Sequence, residues 1–162
     1  MCNEDMFAIA ERQFSRRATQ VDGPSLICNY LKLISVHPSK ACFEFEVRQE
    51  FLTPYSQVQS GVLITVIDAV TFGAASTLFG AEVHGVSLEM SVRRLKDIPV
   101  GQKIYITAQA TRASPKFFDC SAEFKDEDGI LLARGDQMIY LLPPSSSQTT
   151  KGTSGSILPS KL

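Results

Sequence analysis

The chain has 162 residues, a net charge of −1 at neutral pH, 44% hydrophobic residues and 20% charged residues. That length suits one domain with a single substantial core, and the balanced net charge gives no electrostatic argument for nucleic acid as a partner. Four cysteines, Cys2, Cys28, Cys42 and Cys120, form no C-x-x-C pair, and His37 and His84 stand apart from them. No metal site or cofactor is therefore expected. The cysteines read as reduced thiols, three of them on strand-like stretches.

In chain order, residues 1–24 read as an N-terminal helical extension. Asn3 stands in a capping position, Glu4 and Asp5 follow in the first turn, and Met6, Ile9, Ala10 and Phe14 mark one face. The acidic residues interrupt any apolar run, so neither a secretory signal nor a transit peptide is expected. Gly23-Pro24 closes the segment. Residues 26–36 and 41–51 then read as two strands of a hairpin around His37-Pro38-Ser39-Lys40, with Phe43, Phe45 and Val47 on one face and Glu44, Glu46 and Arg48 on the other. Thr53-Pro54-Tyr55-Ser56 reads as a loop.

Residues 61–79 are nineteen long with one charge, Asp68. Two glycines, a serine, three threonines and the lack of flanking basic clusters point to a buried core helix rather than a membrane span. Four strands follow, over 84–95, 103–111, 117–125 and 130–142, with Val86, Leu88, Met90 and Val92 in phase on the first. The turns between them are Pro99-Val100-Gly101 and Asp126-Glu127-Asp128-Gly129. A long helix set among antiparallel strands predicts an α+β fold whose sheet wraps the helix. The body is expected over 25–142. From Pro143 to Leu162, fourteen of twenty residues are Ser, Thr, Pro or Gly, which reads as a flexible tail. It ends Ser160-Lys161-Leu162, a tripeptide that the peroxisomal import receptor reads as an address, so a peroxisomal location is expected.

Gln59-Ser60-Gly61, the helix carrying Asp68, and Gly85-Val86-Ser87-Leu88-Glu89-Met90 together resemble the hotdog-fold acyl-CoA thioesterases, of the phenylacetate-pathway and thioesterase-superfamily-member-2 type. The resemblance runs over residues 26–142, and Ala133-Arg134-Gly135 fits it as well. In that family the helix opens with His-Gly-Gly, and a catalytic Asp or Glu follows eight residues after the first Gly. Here Gln59, Ser60 and Gly61 take the first three places and Asp68 the fourth. The family's serine on the next strand matches Ser87, and an asparagine six before the histidine matches Thr53. Gly61, Asp68 and Ser87 agree with the pattern, whereas Gln59, Ser60 and Thr53 depart from it.

The resemblance implies an antiparallel sheet wrapped around a long central helix, and a homodimer or dimer of dimers formed edge to edge with sites at the interface. It also implies that Ser87 acts on the Asp68 of the other subunit. The activity implied is hydrolysis of an acyl-CoA thioester to free acid and CoA. The backbone N–H of Ser60, helped by Gly61, would hold the oxyanion at the helix start. Asp68 would be general base or nucleophile, and Ser87 would orient it.

Gln59 can donate and accept hydrogen bonds as histidine does but cannot carry a proton. Arg93, Arg94, Lys96, Arg112 and Lys116 are the candidates for CoA phosphates, with Thr53 at the mouth of the site. His84 reads as a turn residue. Tyr55 and Phe79 read as core packing in preference to an acyl pocket. The second reading is a protein that binds acyl-CoA or a partner without hydrolysing it. A hotdog hydratase or dehydratase ranks last, because its signature has a histidine five residues after the Asp and Gly73 stands there.

Overall fold

The computed structural model describes residues 3–18 and 24–142. Cys2 and residues 143–162, with the Ser160-Lys161-Leu162 tripeptide, lie outside the described residues; the expected cap of Asn3 and the packing of Phe14 lie outside the described side chains.

Helix α1 spans Asn3–Ala18 and buries Met6, Ile9 and Ala10 against the body. Gln13 fastens it there. The Gln13 amide nitrogen donates to the Val83 carbonyl at 3.1 Å, and the Val83 N–H donates to Gln13 Oε1 at 2.7 Å, so one buried side chain pairs with a backbone much as a strand would.

The body is one six-stranded sheet over a single helix. The strands are β1 (Leu31–His37), β2 (Lys40–Glu46), β3 (Gly85–Arg94), β4 (Lys103–Arg112), β5 (Phe117–Lys125) and β6 (Leu131–Leu141). Every neighbouring pair is antiparallel, in the order β1-β2-β4-β5-β6-β3. Helix α2 (Ser60–Phe79) packs against all six strands. Thirteen of its twenty residues are buried, including the whole run from Ala69 to Thr77, which is the burial of a core helix. Its buried hydroxyls are satisfied locally: Ser76 donates to the Gly73 carbonyl and Thr77 to the Ala74 carbonyl, both at 2.7 Å. Gly80, with a φ of 68°, ends the helix as a left-handed cap whose N–H bonds the Ser76 carbonyl at 3.0 Å. Phe43, Phe45, Phe118, Phe124, Ile104 and Ile106 fill the sheet side of the core.

Two expected strands are shorter than their apolar content predicts. Residues Pro24–Tyr30 form a 3₁₀ helix, so β1 begins only at Leu31, and Cys28 is buried on that turn rather than on a strand. A proline pre-set for a helical start explains the difference. Likewise β2 ends at Glu46, and Gln49–Phe51 make a 3₁₀ turn. That turn folds the Phe51 ring back onto Phe45 at 5.5 Å and edge-on to Tyr30 at 5.3 Å, with the Arg48 guanidinium 4.4 Å from the Tyr30 ring centre.

The third departure is a bulge. On β3 the register to β6 shifts between Ser87 and Glu89. Val86 and Leu88 are exposed, at 45% and 54%, while Met90 and Val92 pack on the core. The four residues are therefore not in one phase, and Ser87, though exposed, takes the side of β3 that faces α2. Of the thiols, Cys120 on β5 is buried, and burial together with the neighbouring Asp119 pushes its pKa from 9.0 up to about 12. It is a packed thiol, as are Cys28 and the half-buried Cys42; none of the three is in a disulfide.

Candidate active site

Helix α2 carries one carboxylate, and the structure gathers polar groups around it. The Ser87 hydroxyl donates to Asp68 Oδ1 at 2.7 Å. The Gln137 amide nitrogen, from β6, donates to the same oxygen at 2.8 Å and to Ser87 Oγ at 2.6 Å. Asp68 is half-buried, beside the buried Ile67 and Phe72. This Ser87 belongs to the same chain. The expectation that Ser87 reaches the Asp68 of another subunit is thereby corrected: the β3 bulge already points the hydroxyl at the protomer's own α2.

The helix start is open. Gln59 sits at the N-cap in extended conformation (φ −65°, ψ 135°), and its carbonyl accepts the Val62 and Leu63 N–H groups at 3.0 and 3.4 Å. The N–H groups of Ser60 and Gly61 precede those two and have no carbonyl one turn back within the helix. Both residues are exposed, and a Cβ built on Gly61 would meet nothing within 4 Å. Room therefore exists there for a ligand atom, and the positive end of the helix dipole favours a developing negative charge.

Ser60 and Asp68 are far apart, however. Eight residues of helix separate them, about 12 Å along the axis at ~1.5 Å per residue. A thioester carbonyl spans about 1.2 Å, the usual C=O length, and cannot bond the Ser60 or Gly61 N–H while its carbon faces the Asp68 of the same chain.

Residues 58–133, from the entry to α2 as far as β6, match the family model of the thioesterase superfamily. Among solved structures, the chain is similar to zebrafish thioesterase superfamily member 2, at 21% identity and a TM-score of 0.72, over 81% of this chain and 94% of that one. It is similar to the E. coli PaaI protein from the phenylacetic acid degradation operon, at 13% identity and a TM-score of 0.73, over 88% and 97%. A hypothetical thioesterase from Streptococcus pneumoniae, solved with coenzyme A, matches at 14% identity and a TM-score of 0.68, over 81% and 95%. The chain has the hotdog fold of these structures, and its segment 58–133 is similar to the thioesterase superfamily. No sequence among curated proteins matches it.

On the hotdog frame the other expected site residues fall into two groups. Gln59 is at the mouth, and its amide nitrogen donates to the Leu52 carbonyl at 3.0 Å, so the side chain ties down the loop before α2. Thr53 is spent on that loop: Oγ1 accepts the N–H groups of Tyr55 and Gln57 at 3.3 and 3.4 Å, which explains why a short hydroxyl residue stands there. Arg94 Nη1 donates to the Val58 carbonyl at 3.2 Å, beside the helix start.

Arg93 is exposed at the same end of β3, where Lys96 follows it. Lys116 is exposed at the other end, next to the Phe117–Tyr140–Val86 row. Val86 and Arg94 are eight residues apart, about 26 Å at ~3.3 Å per strand residue, so these cations do not form one phosphate cluster within a protomer. Arg112 holds a turn instead, donating to the Ser114 and Pro115 carbonyls at 3.3 and 3.5 Å, with its guanidinium 5.6 Å from the Phe79 ring centre.

Tyr55 is 85% exposed at the loop tip and Phe79 is 39% exposed, so neither is a core residue as expected. Phe79 lines a shallow apolar groove with Val83, Leu141 and Leu142, beyond the end of α2; its ring tilts onto Phe118 at 4.8 Å. His84 lies in the turn entering β3, its carbonyl accepting the Leu142 N–H at 2.9 Å.

Gln137 is the site residue that sequence reasoning missed. The β6 run Ala133, Gly135, Gln137, Ile139 is the core-facing phase, and a glutamine within it is the signal: an amide buried at 3% exposure needs partners.

Proposed function

We propose that the protein hydrolyses an acyl-CoA thioester to free acid and CoA, with Asp68 taking the proton of the attacking water. The observation that carries the reading is the half-buried carboxylate of Asp68, oriented by Ser87 and Gln137 on a thioesterase-superfamily fold. The coenzyme A in the S. pneumoniae relative supports the substrate class.

In the proposed step, water oxygen adds to the thioester carbon and its proton passes to Asp68. The carbonyl oxygen becomes an oxyanion held by helix N–H groups. Collapse breaks the C–S bond, and the CoA thiolate takes the proton back. Attack by Asp68 itself, with water cleaving the resulting anhydride, balances equally well.

The distance of about 12 Å between the helix start and Asp68, from the usual helical rise, makes a second copy of the chain part of the proposal. The oxyanion donors Ser60 and Gly61 of one protomer serve the Asp68 of another. Strand β3 is an edge strand with Val86 and Leu88 exposed, a surface suited to edge-to-edge pairing in a homodimer or a dimer of dimers. Arg93 and Arg94, near the helix start, are the CoA-phosphate candidates for such a site.

The second reading, binding of acyl-CoA without hydrolysis, is favoured by one observation. Gln59, where the resembled family has histidine, has its amide committed to Leu52 and cannot relay a proton. The assay that separates the two offers the purified protein acyl-CoAs of graded chain length and follows release of CoA thiol. Turnover in the ordinary enzyme range, on the order of 1 s⁻¹ or faster, is expected; saturable binding with no thiol release would establish the second reading. The proposal places the activity in the peroxisome on the strength of Ser160-Lys161-Leu162 alone. Punctate import of a reporter carrying that tail, abolished when Leu162 is removed, is the expected result; diffuse signal from both versions would refute the location.

A further inference from the structure

The hydrogen bonds that join Asp68, Ser87 and Gln137 fix one another's directions. A carboxylate oxygen only accepts, so the Gln137 atom 2.8 Å from Asp68 Oδ1 must be the amide nitrogen. Its two hydrogens are accounted for, one to Asp68 and one to Ser87 Oγ. The single Ser87 hydrogen goes to Asp68. The opposite amide orientation would set a carbonyl oxygen against the carboxylate. Thr71, one turn of α2 beyond Ile67, weighs against that flip: its single hydroxyl hydrogen is shared between Gln137 Oε1 and the Ile67 carbonyl, the latter at 2.8 Å, and so meets the amide on its acceptor side. Thr71 is fully buried, so no water competes for the contact.

We propose that Gln137 is a positioning residue for Asp68, and that Thr71 sets the orientation of Gln137. The amide pins the carboxylate through Oδ1 and accepts no bond from Ser87, which leaves the Ser87 hydroxyl to donate towards Asp68. Asp68 is thus presented in one rotamer. The role is more than space-filling, because an apolar side chain of the same length would fill the cavity and leave Thr71 satisfied by Ile67. Gln137 does not touch the thioester in this scheme. The inference rests on the thioesterase reading for its kinetic consequence, though not for its geometric one.

The test uses full-length protein with two near-isosteric variants. Gln137→Met removes both donors at constant length, and Thr71→Val removes the hydroxyl at constant shape. With the acyl-CoA that turns over best, Gln137→Met is expected to lower kcat about 30-fold and Thr71→Val about fivefold, equivalent to roughly 2 and 1 kcal/mol at 1.36 kcal/mol per decade. KM should stay within about threefold in both, since the interaction acts on the reacting group and not on substrate binding. An unchanged kcat in folded Gln137→Met, or a loss confined to KM, would overturn the proposal. A crystal structure of Gln137→Met supplies the readout that needs no turnover. Asp68 is expected to leave its rotamer and to break its hydrogen bond with Ser87; a side-chain pair that stays in place refutes the positioning role. Wild-type protein that releases no thiol would instead remove the thioesterase reading and leave the crystallographic test standing.

Discussion

Asp68→Asn is expected to lower kcat about 10³-fold, within the range of ~10²–10⁴ usually supplied by a positioned general base, while leaving the fold intact. The structure explains why both halves of that result belong together. Asparagine matches aspartate in shape, and its Oδ1 can accept from Ser87 and Gln137 just as the carboxylate does. The triangle of contacts therefore survives, and the melting temperature should move by no more than a few degrees. What disappears is the ability to take a proton from water or to attack a carbonyl, since an amide does neither at neutral pH. The proposed pairing of two copies and the proposed affinity for acyl-CoA should be unaffected, so KM or a binding isotherm serves as the control. Thiol release by the variant within about tenfold of wild type, well short of the usual general-base effect, would remove Asp68 from the chemistry. The two routes through Asp68 also separate: in a single turnover in heavy-oxygen water, only the nucleophilic route can leave label in the Asp68 carboxyl group.

The frame of this site was legible in the sequence because it depends on strong local signals. A nineteen-residue apolar run with one carboxylate, two glycines, a serine and three threonines pointed to a buried helix, and alternation marked the strands from β4 to β6. The turn at Asp126-Gly129 was equally clear, and Asp126 Oδ1 accepts the N–H groups of Asp128 and Ile130 at 3.1 and 2.8 Å, with Gly129 at a φ of 77°.

What could not be read depends on breaks in periodicity. Val86, Leu88, Met90 and Val92 alternate perfectly, yet the β3 bulge between Ser87 and Glu89 reverses the phase partway, because one extra residue exchanges the two faces of a strand. Alternation alone therefore puts Ser87 on the wrong face, away from the Asp68 of its own chain. The 3₁₀ turns at Pro24–Tyr30 and Gln49–Phe51 were hidden in the same way, since their apolar residues serve aromatic stacking off the sheet rather than strand alternation. Gln137 was written in the sequence as a polar residue in an apolar phase, but its meaning depends on Thr71 and Asp68, 66 and 69 residues away.

The largest expected loss of stability comes from one added methyl group, at Gly135. This residue sits on the core-facing side of β6, between Ala122 of β5 and Val92 of β3. A Cβ there would lie 2.2 Å from Ile67 Cδ1 and 2.6 Å from the Ser91 carbonyl oxygen. The isoleucine tip could swing away at modest cost, but the carbonyl is β3 backbone and cannot yield without opening the β3–β6 pairing. Overpacking of this kind costs about 3 kcal/mol, the upper part of its usual range. For a chain of this size that corresponds to a fall in Tm of roughly 10 °C. The site should suffer before the fold does, because both routes of relief run through it. Moving Ile67 displaces its neighbour Asp68, and shifting β3 carries Ser87 with it. Gly135→Ala is therefore expected to lose more than about tenfold in kcat, the cost of a small misplacement of reacting groups, at temperatures well below its own melting transition. Calorimetry together with thiol-release assays near about 15 °C, where a destabilised domain is still close to its stability maximum, checks both. A variant that melts within roughly 2 °C of wild type, far less than the shift expected for a domain of this size, would mean that the strands are less tightly joined at Gly135 than these distances require. A destabilised variant with full low-temperature activity would mean that the clash is relieved away from Asp68 and Ser87.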